Sequence, residues 1–517
     1  MGNRLKKIKL NQQAFGLLVL LFLVSISTFA QKKEQIKIIR ADVLIGTESK
    51  GKTAQRLIGD VQFEHQNALM YCDSAYFYKT TNSIDAFGSV RINQGDTLNL
   101  YGDFLHYDGN QKLATVTGKE VKLVSPDFDL VTDRLLYDRA NNIASYSTGA
   151  VIESKNDSNV LVSDRGYFYS NQSTFLFKNN VVLTNPEFEM RSDTMRYYTT
   201  TEVVNFLGPT TITSDSNLIY CENGWYDTQK DQSKYFANAY IITDGKRLEG
   251  DTLFYDRNVG FGKADGNVQI TDTVENVIIN GEHGRIFEKK DSAVVTDNSL
   301  LTQLFDGDTL YMHADTFKVY KKLNGDQFLF AYYGVKIFKS DLQGSCDSIS
   351  YSLTDSTIRL FYNPVLWSAE NQLTADTIDI RTKNNKIHSL YLDKSAFIIS
   401  EIDTIRYNQI KGKNMTGYFS EGKLKTIFVK GNGQTTYYGQ DDAEKFIGVN
   451  VAESSDIRIL LGEKSIETIT FLNAPKAKMH PMGELDPVNE LRYSGFKWLI
   501  DRRPLNKESL FKAESQK

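Results

Sequence analysis

Acidic residues recur along this chain at a nearly constant interval, so paired carboxylates are the first chemistry to consider. Asp73, Asp103, Asp133, Asp164, Asp193, Glu222 and Asp251 each follow a small residue. Glu282, Asp315, Asp347 and Asp376 repeat the placement more faintly, with Lys413 as a degenerate twelfth. Acid–base catalysis needs one differentiated pair of carboxylates with separated pKa values, whereas a carboxylate in every repeat is architecture. Other reactive types are sparse. His65, His106, His283, His313, His388 and His480 show no HxxxH spacing, and Cys72, Cys221 and Cys346 show no CxxC spacing; no metal site is expected. No nucleophile elbow surrounds any serine. The expectation is a protein that is not an enzyme, with no catalytic residues, no metal and no cofactor.

The 517 residues are 41% hydrophobic and 24% charged, enough to bury a sizeable core. Sixty basic residues against 64 acidic ones give a net charge of −4, and about −8 without the first 30 residues. An acidic chain without a basic run excludes nucleic acid as a partner. Eight prolines set against 28 Tyr and 30 Phe exclude a disordered or linker-rich chain.

Residues 1–30 read as an address. Arg4, Lys6, Lys7 and Lys9 precede a largely apolar run from Phe15 to Ile26, and Ser27-Thr28-Phe29-Ala30 closes it. This is the layout of a secretory signal peptide cleaved after Ala30. The first cysteine is Cys72, so no lipid-modified N-terminus is expected.

The elements that position the acids follow from phase. Three residues before the anchor comes an apolar residue: Met70, Leu100, Leu130, Leu161, Met190, Ile219, Leu248. One before it is small, as in Cys72, Gly102, Thr132, Ser163 and Gly250, and two and four after it are again apolar, as in Leu105 and Tyr107. A period-two alternation that slips by one residue at the anchor predicts a strand bent by a β-bulge or corner, with the acid at the corner. Between anchors lies a Gly or Asn before an apolar residue, as in Gly88-Ser89-Val90 and Gly266-Asn267-Val268. Successive anchors are 29 to 33 residues apart. About twelve such repeats predict an all-β fold: an elongated two-sheet tube or jelly-roll with a continuous apolar interior.

This repeat resembles the OstA-like family, which includes LptA-type periplasmic lipopolysaccharide transport proteins and the N-terminal domain of the outer-membrane lipopolysaccharide assembly protein. The resemblance spans roughly residues 36–435, in one or two consecutive units. It implies a β-jelly-roll holding lipopolysaccharide acyl chains in its interior, a periplasmic or outer-membrane-associated location, and strand-edge pairing with other jelly-roll proteins of a transport bridge that leads to the outer-membrane assembly barrel. The lipid-facing candidates are Leu100, Leu130, Leu161, Met190, Ile219 and Leu248, with Tyr107, Tyr137 and Tyr255 across the corner. The residues themselves fit equally a filled core, hence a structural or adhesive β-solenoid; the resemblance favours the groove. Residues 441–517 hold four of the eight prolines, break the period, and read as a cap or docking tail. They are too few to form a large membrane barrel.

Overall fold

The computed structural model describes residues 34–512 apart from positions 95–97, 157, 216, 244, 275, 306, 323, 384–385, 422, 442–444 and 463–465. The expected leader lies outside the described residues. Among these residues the chain forms 38 strands, all antiparallel in their pairings, and four short 3-10 turns. The fold is all-β. Among the described residues no helix is long and apolar enough to cross a membrane. Two compact units divide the chain: residues up to Ser158 with Arg165–Gln172, and Asn159–Asp164 with Ser173 onward.

The corner expected from the sequence recurs as a register shift in the long strand pairs. Ile58 faces Ser74 and Val61 faces Cys72, so Gly59 and Asp60 together oppose the single Asp73. Register shifts of the same kind recur between Phe87 and Val90, Lys178 and Val181, Phe236 and Ala239, and Asp265 and Val268. The two extra residues adopt left-handed backbone, as in Gly59-Asp60, Gly88-Ser89, Asn179-Asn180 and Gly266-Asn267. Asn and Gly are the residues that tolerate this conformation, which explains their recurrence there. The two sequence signals, acid and Gly/Asn pair, are therefore one device. The anchor of one strand accepts a hydrogen bond from the bulge about sixteen residues later: Ser89 Oγ to Asp73 at 3.1 Å, Asn180 Nδ2 to Asp164 at 2.8 Å, Asn238 Nδ2 to Glu222 at 2.8 Å and Lys119 N–H to Asp103 at 2.9 Å.

Two corners escaped the sequence reading. Asp42 N–H donates to Gly59 O at 3.1 Å, and Ser455 N–H donates to Asn473 O at 3.2 Å. Strands accordingly continue through Phe446–Leu461, Ile466–Leu472 and Lys476–His480. Beyond His480 the chain has no strand among its described residues.

Each bent strand has two limbs that share one apolar interior. In the first unit Phe63 and Phe77 lie on different limbs, and their rings approach to 6.2 Å. Cys72, Cys221 and Cys346 occupy the small slot before the anchor, buried and free, and burial pushes their thiols up to about 12.

Candidate functional site

The candidate site is the inward face of the limbs. Antiparallel pairing places the residue three before each anchor opposite its counterpart on the next strand, so these side chains form straight rows across the sheet. In the first unit the row runs Met70, Ile92, Leu100, Leu123, Leu130, Ile152. In the second unit Leu161 faces Leu183, which faces Met190, and the row continues through Ile212, Ile219, Ile241, Leu248 and Ile270. On the other limb Tyr107 sits between Ile84 and Ala114, and Tyr137 between Ala114 and Ala144. Tyr255 sits between Ser233 and Gly262. The structure thus aligns the residues of each row that share a unit.

Burial separates them into two groups. Leu100, Leu130, Leu161, Met190, Tyr107 and Tyr137 are buried. Ile219, Leu248 and Tyr255 are only half-buried, as are their inward neighbours Tyr226, Ile241, Ile270 and Ile286. Two residues after the anchor this second stretch places Gly224, Leu253 and Gly284 where the first unit places Ala75, Leu105 and Leu135. Gly262 is buried, and a Cβ there would lie in ordinary contact with Ile286 and Tyr255 at 3.7 Å. What distinguishes the stretch between Asn217 and Phe287 is the incomplete burial of its inward Ile219, Ile241, Leu248 and Ile270.

The mouths differ too. In the first unit, side chains bridge the tips of the two limbs. The Tyr107 hydroxyl lies 2.7 Å from His65 Nδ1, and Arg139 donates to that hydroxyl at 3.0 Å, to His65 O at 3.1 Å and to Gln66 O at 3.0 Å. The N-terminal segment adds a second bridge. Glu34 O accepts from Asn82 Nδ2 at 3.1 Å and lies 3.0 Å from His65 Nε2, while Ile36 N–H donates to Asn82 Oδ1 at 2.9 Å. Burial holds the His65 imidazole below its ordinary pKa and pushes the Tyr107 hydroxyl up. In the second unit the corresponding contact is an ion pair, Arg257 Nη2 to Glu187 Oε2 at 3.1 Å, with both side chains more than half exposed. Tyr226 donates to Asp231 at 2.7 Å and Tyr255 to Glu288 at 2.9 Å, which turns each hydroxyl to the rim with its ring below. Burial, then the Glu288 carboxylate, pushes Tyr255 up to about 12.

The anchors Asp73, Asp103, Asp133, Asp164, Asp193, Asp251, Asp315 and Asp376 are exposed, and Glu222 and Asp347 half-buried, all at corners and apart from the interior. Among the described residues no group of three or more His, Cys, Asp or Glu is placed to hold a metal ion. The residues the sequence reading missed are the mouth bridges. Their only signal was Arg139 and Arg257, each six residues after an anchor.

Residues 33–193 match the family model described as OstA-like protein. No curated protein matches the chain. Among solved structures the chain is similar to LptH, the LptA-homologous periplasmic component of the lipopolysaccharide transport device of Pseudomonas aeruginosa, at 17% identity and a TM-score of 0.21, covering 22% of this chain and 85% of that one. It is also similar to the extracellular domain of BT4673 from B. thetaiotaomicron, at 9% identity and a TM-score of 0.08, covering 78% of this chain and 90% of that one.

Proposed function

We propose, starting from the OstA-like character of residues 33–193, that this chain is a non-catalytic, periplasmic lipid-binding conduit that carries lipopolysaccharide toward the outer membrane. The observation that carries the reading is the half-buried inward row Ile219, Ile241, Leu248, Ile270 under a rim of tyrosine hydroxyls. Burying acyl methylenes there yields about 0.8 kcal/mol each before entropic costs. A tyrosine with its ring inward and its hydroxyl at the rim suits the boundary between acyl chains and a polar headgroup. The limbs that bind are those between Asn217 and Phe287. Leu100, Leu130, Tyr107 and Tyr137 serve as packed core.

Partner pairing uses the sheet edges. The strand Val43–Ser49 pairs only with Lys52–His65 among the described strands, and Val43, Leu44 and Ile45 are exposed on it. An edge of this kind accepts a strand from another jelly-roll protein of the transport bridge, with the outer-membrane assembly barrel as the terminus of that bridge. Export through the leader at residues 1–30 places the chain in that compartment.

Photocrosslinkers at Ile241, Leu248 and Ile270, compared with crosslinkers at Val116 and Leu123, test the reading in a host that makes lipopolysaccharide. Adducts are expected at the first set and not the second. A dry interior with no lipid adduct at either would leave a structural β-solenoid as the better account.

A further inference from the structure

The outer face of the second unit carries a built site that owes nothing to the lipid reading. One cross-strand row runs Gln343, Trp367, Gln372, Ile399, Gln409, Thr436. The three glutamines stand four residues before Asp347, Asp376 and Lys413, and Gln372 and Gln409 sit next to the inward Leu373 and Ile410. Outward positions of a sheet ordinarily meet water. Here Gln343 is 5% exposed, Gln372 0% and Gln409 2%, with Trp367 and Ile399 equally buried between them.

The cover is the chain's own tail. Gln409 donates from Nε2 to Leu491 O at 2.8 Å and accepts from Tyr493 N–H at 3.1 Å. Gln372 does the same one repeat away, donating to Lys497 O at 2.7 Å and accepting from Leu499 N–H at 2.7 Å. Gln343 Oε1 accepts from Arg503 through Nε at 3.0 Å and Nη2 at 2.7 Å. A primary amide presents the same donor and acceptor as a peptide group, so each glutamine pairs with the tail as a strand would. The contacted residues Leu491, Lys497 and Arg503 are six apart. Six extended residues would reach about 20 Å, against about 10 Å for two strand spacings. A turn in each interval takes up the excess: Phe496 N–H to Tyr493 O at 3.0 Å, and Arg502 N–H to Leu499 O at 2.9 Å. Between the glutamine contacts Phe496 and Trp498 pack on the Tyr407 ring at 5.1 and 5.4 Å.

We propose that this row is a peptide-recognition track and that residues 491–503 are its ligand, a separable segment read through its backbone by Gln372 and Gln409 and anchored by Phe496 and Trp498. The track selects a peptide that offers a carbonyl and an N–H two residues apart, repeated at six residues, with aromatic side chains between.

The test uses the full chain with a specific protease site inserted at the exposed Gly483, cleaved after folding. The released tail should stay with the body on gel filtration and exchange with added synthetic peptide of the same sequence, but not with its reversed sequence. Gln372→Leu with Gln409→Leu should speed loss of the tail by about tenfold or more, as expected for four lost hydrogen bonds. In the uncut chain the same pair of substitutions should open Lys497 and Arg502 to trypsin. A wild-type tail that separates at once from a body of unchanged strand content would overturn the proposal. So would a double variant that keeps its tail as firmly, and as resistant to trypsin, as the wild type.

Discussion

The strands of the first unit between Ala54 and Ile152 and those of the second between Asn217 and Phe287 follow the same corner geometry, yet one interior is filled and the other is partly open. The difference lies in two places. Leu135, two residues after its anchor, gives way at the same position of other repeats to Gly224 and Gly284, although Leu253 keeps the place of Leu105. The buried bridge of Arg139, Tyr107 and His65 is replaced by the exposed pair Arg257–Glu187. A repeat fold therefore fixes the wall of the tube, while side-chain volume near the corner and bonding at the limb tips decide whether it encloses a core or a groove.

The largest effect that would break this comparison is in the filled stretch. Leu105→Ala or Leu135→Ala should cost about 2–5 kcal/mol, the loss expected for a fully buried leucine that leaves a cavity. Leu248→Ala, at a half-buried site, should cost about 1 kcal/mol. Site-resolved hydrogen exchange measures both, and equal losses would mean the two interiors are packed alike. Next comes filling the open stretch. Gly262 lies inward, and a Cβ there would sit in ordinary contact with Ile286 and Tyr255 at 3.7 Å, so Gly262→Ala should fit without collision while Gly262→Leu should cut lipid crosslinking at Ile270 by about tenfold. Crosslinking that survives with the fold intact would place the lipid elsewhere.

The mouths respond to different solution variables. Folding holds His65 neutral, with its pKa below the unfolded value, so the unfolded chain binds the extra proton. Stability from this group is complete above about pH 6.5 and declines as the pH falls below it. Hydrogen-exchange protection factors in the strands from Leu98 to Asp138, corrected for the intrinsic rate at each pH, should therefore be lower at pH 5 than at pH 7.5, and His65→Gln should flatten the response. The exposed Arg257–Glu187 pair should respond instead to salt, since 1 M salt screens charges beyond about 3 Å. A salt-insensitive rim would remove that pair from the account.

Corners were legible in the sequence because anchor, small residue and left-handed pair are local and repeat. The inward rows were legible for the same reason: period-two alternation fixes the face, and the face fixes the partner. What alternation does not carry is volume summed across strands, so Leu248 and Leu130 read alike although only one is fully covered. The outer track was hidden by distance, since Gln409 and Gln372 meet residues 82 to 127 positions away. A signal for it did exist. Val365-Leu366-Trp367 and Phe397-Ile398-Ile399 are apolar on both faces, as in a strand covered on both sides.

The smallest expected effect concerns a single corner. Asp251 is exposed, and it accepts from Asn267 Nδ2 at 3.0 Å. Removing an exposed acceptor leaves its donor to water, so Asp251→Ala should cost below about 1 kcal/mol. Gly266 stands beside it with φ +74, and a Cβ there would collide with the Asp251 carboxylate. Gly266→Ala thus carries two penalties: left-handed strain of about 1–2 kcal/mol and the collision. In the double variant the collision is gone and only the strain remains. The double variant should therefore be more stable than the sum of the single losses predicts, by an amount that measures how tightly carboxylate and bulge are fitted. Strict additivity in urea unfolding would mean that the acid merely accompanies the corner, and that the left-handed pair alone bends the strand.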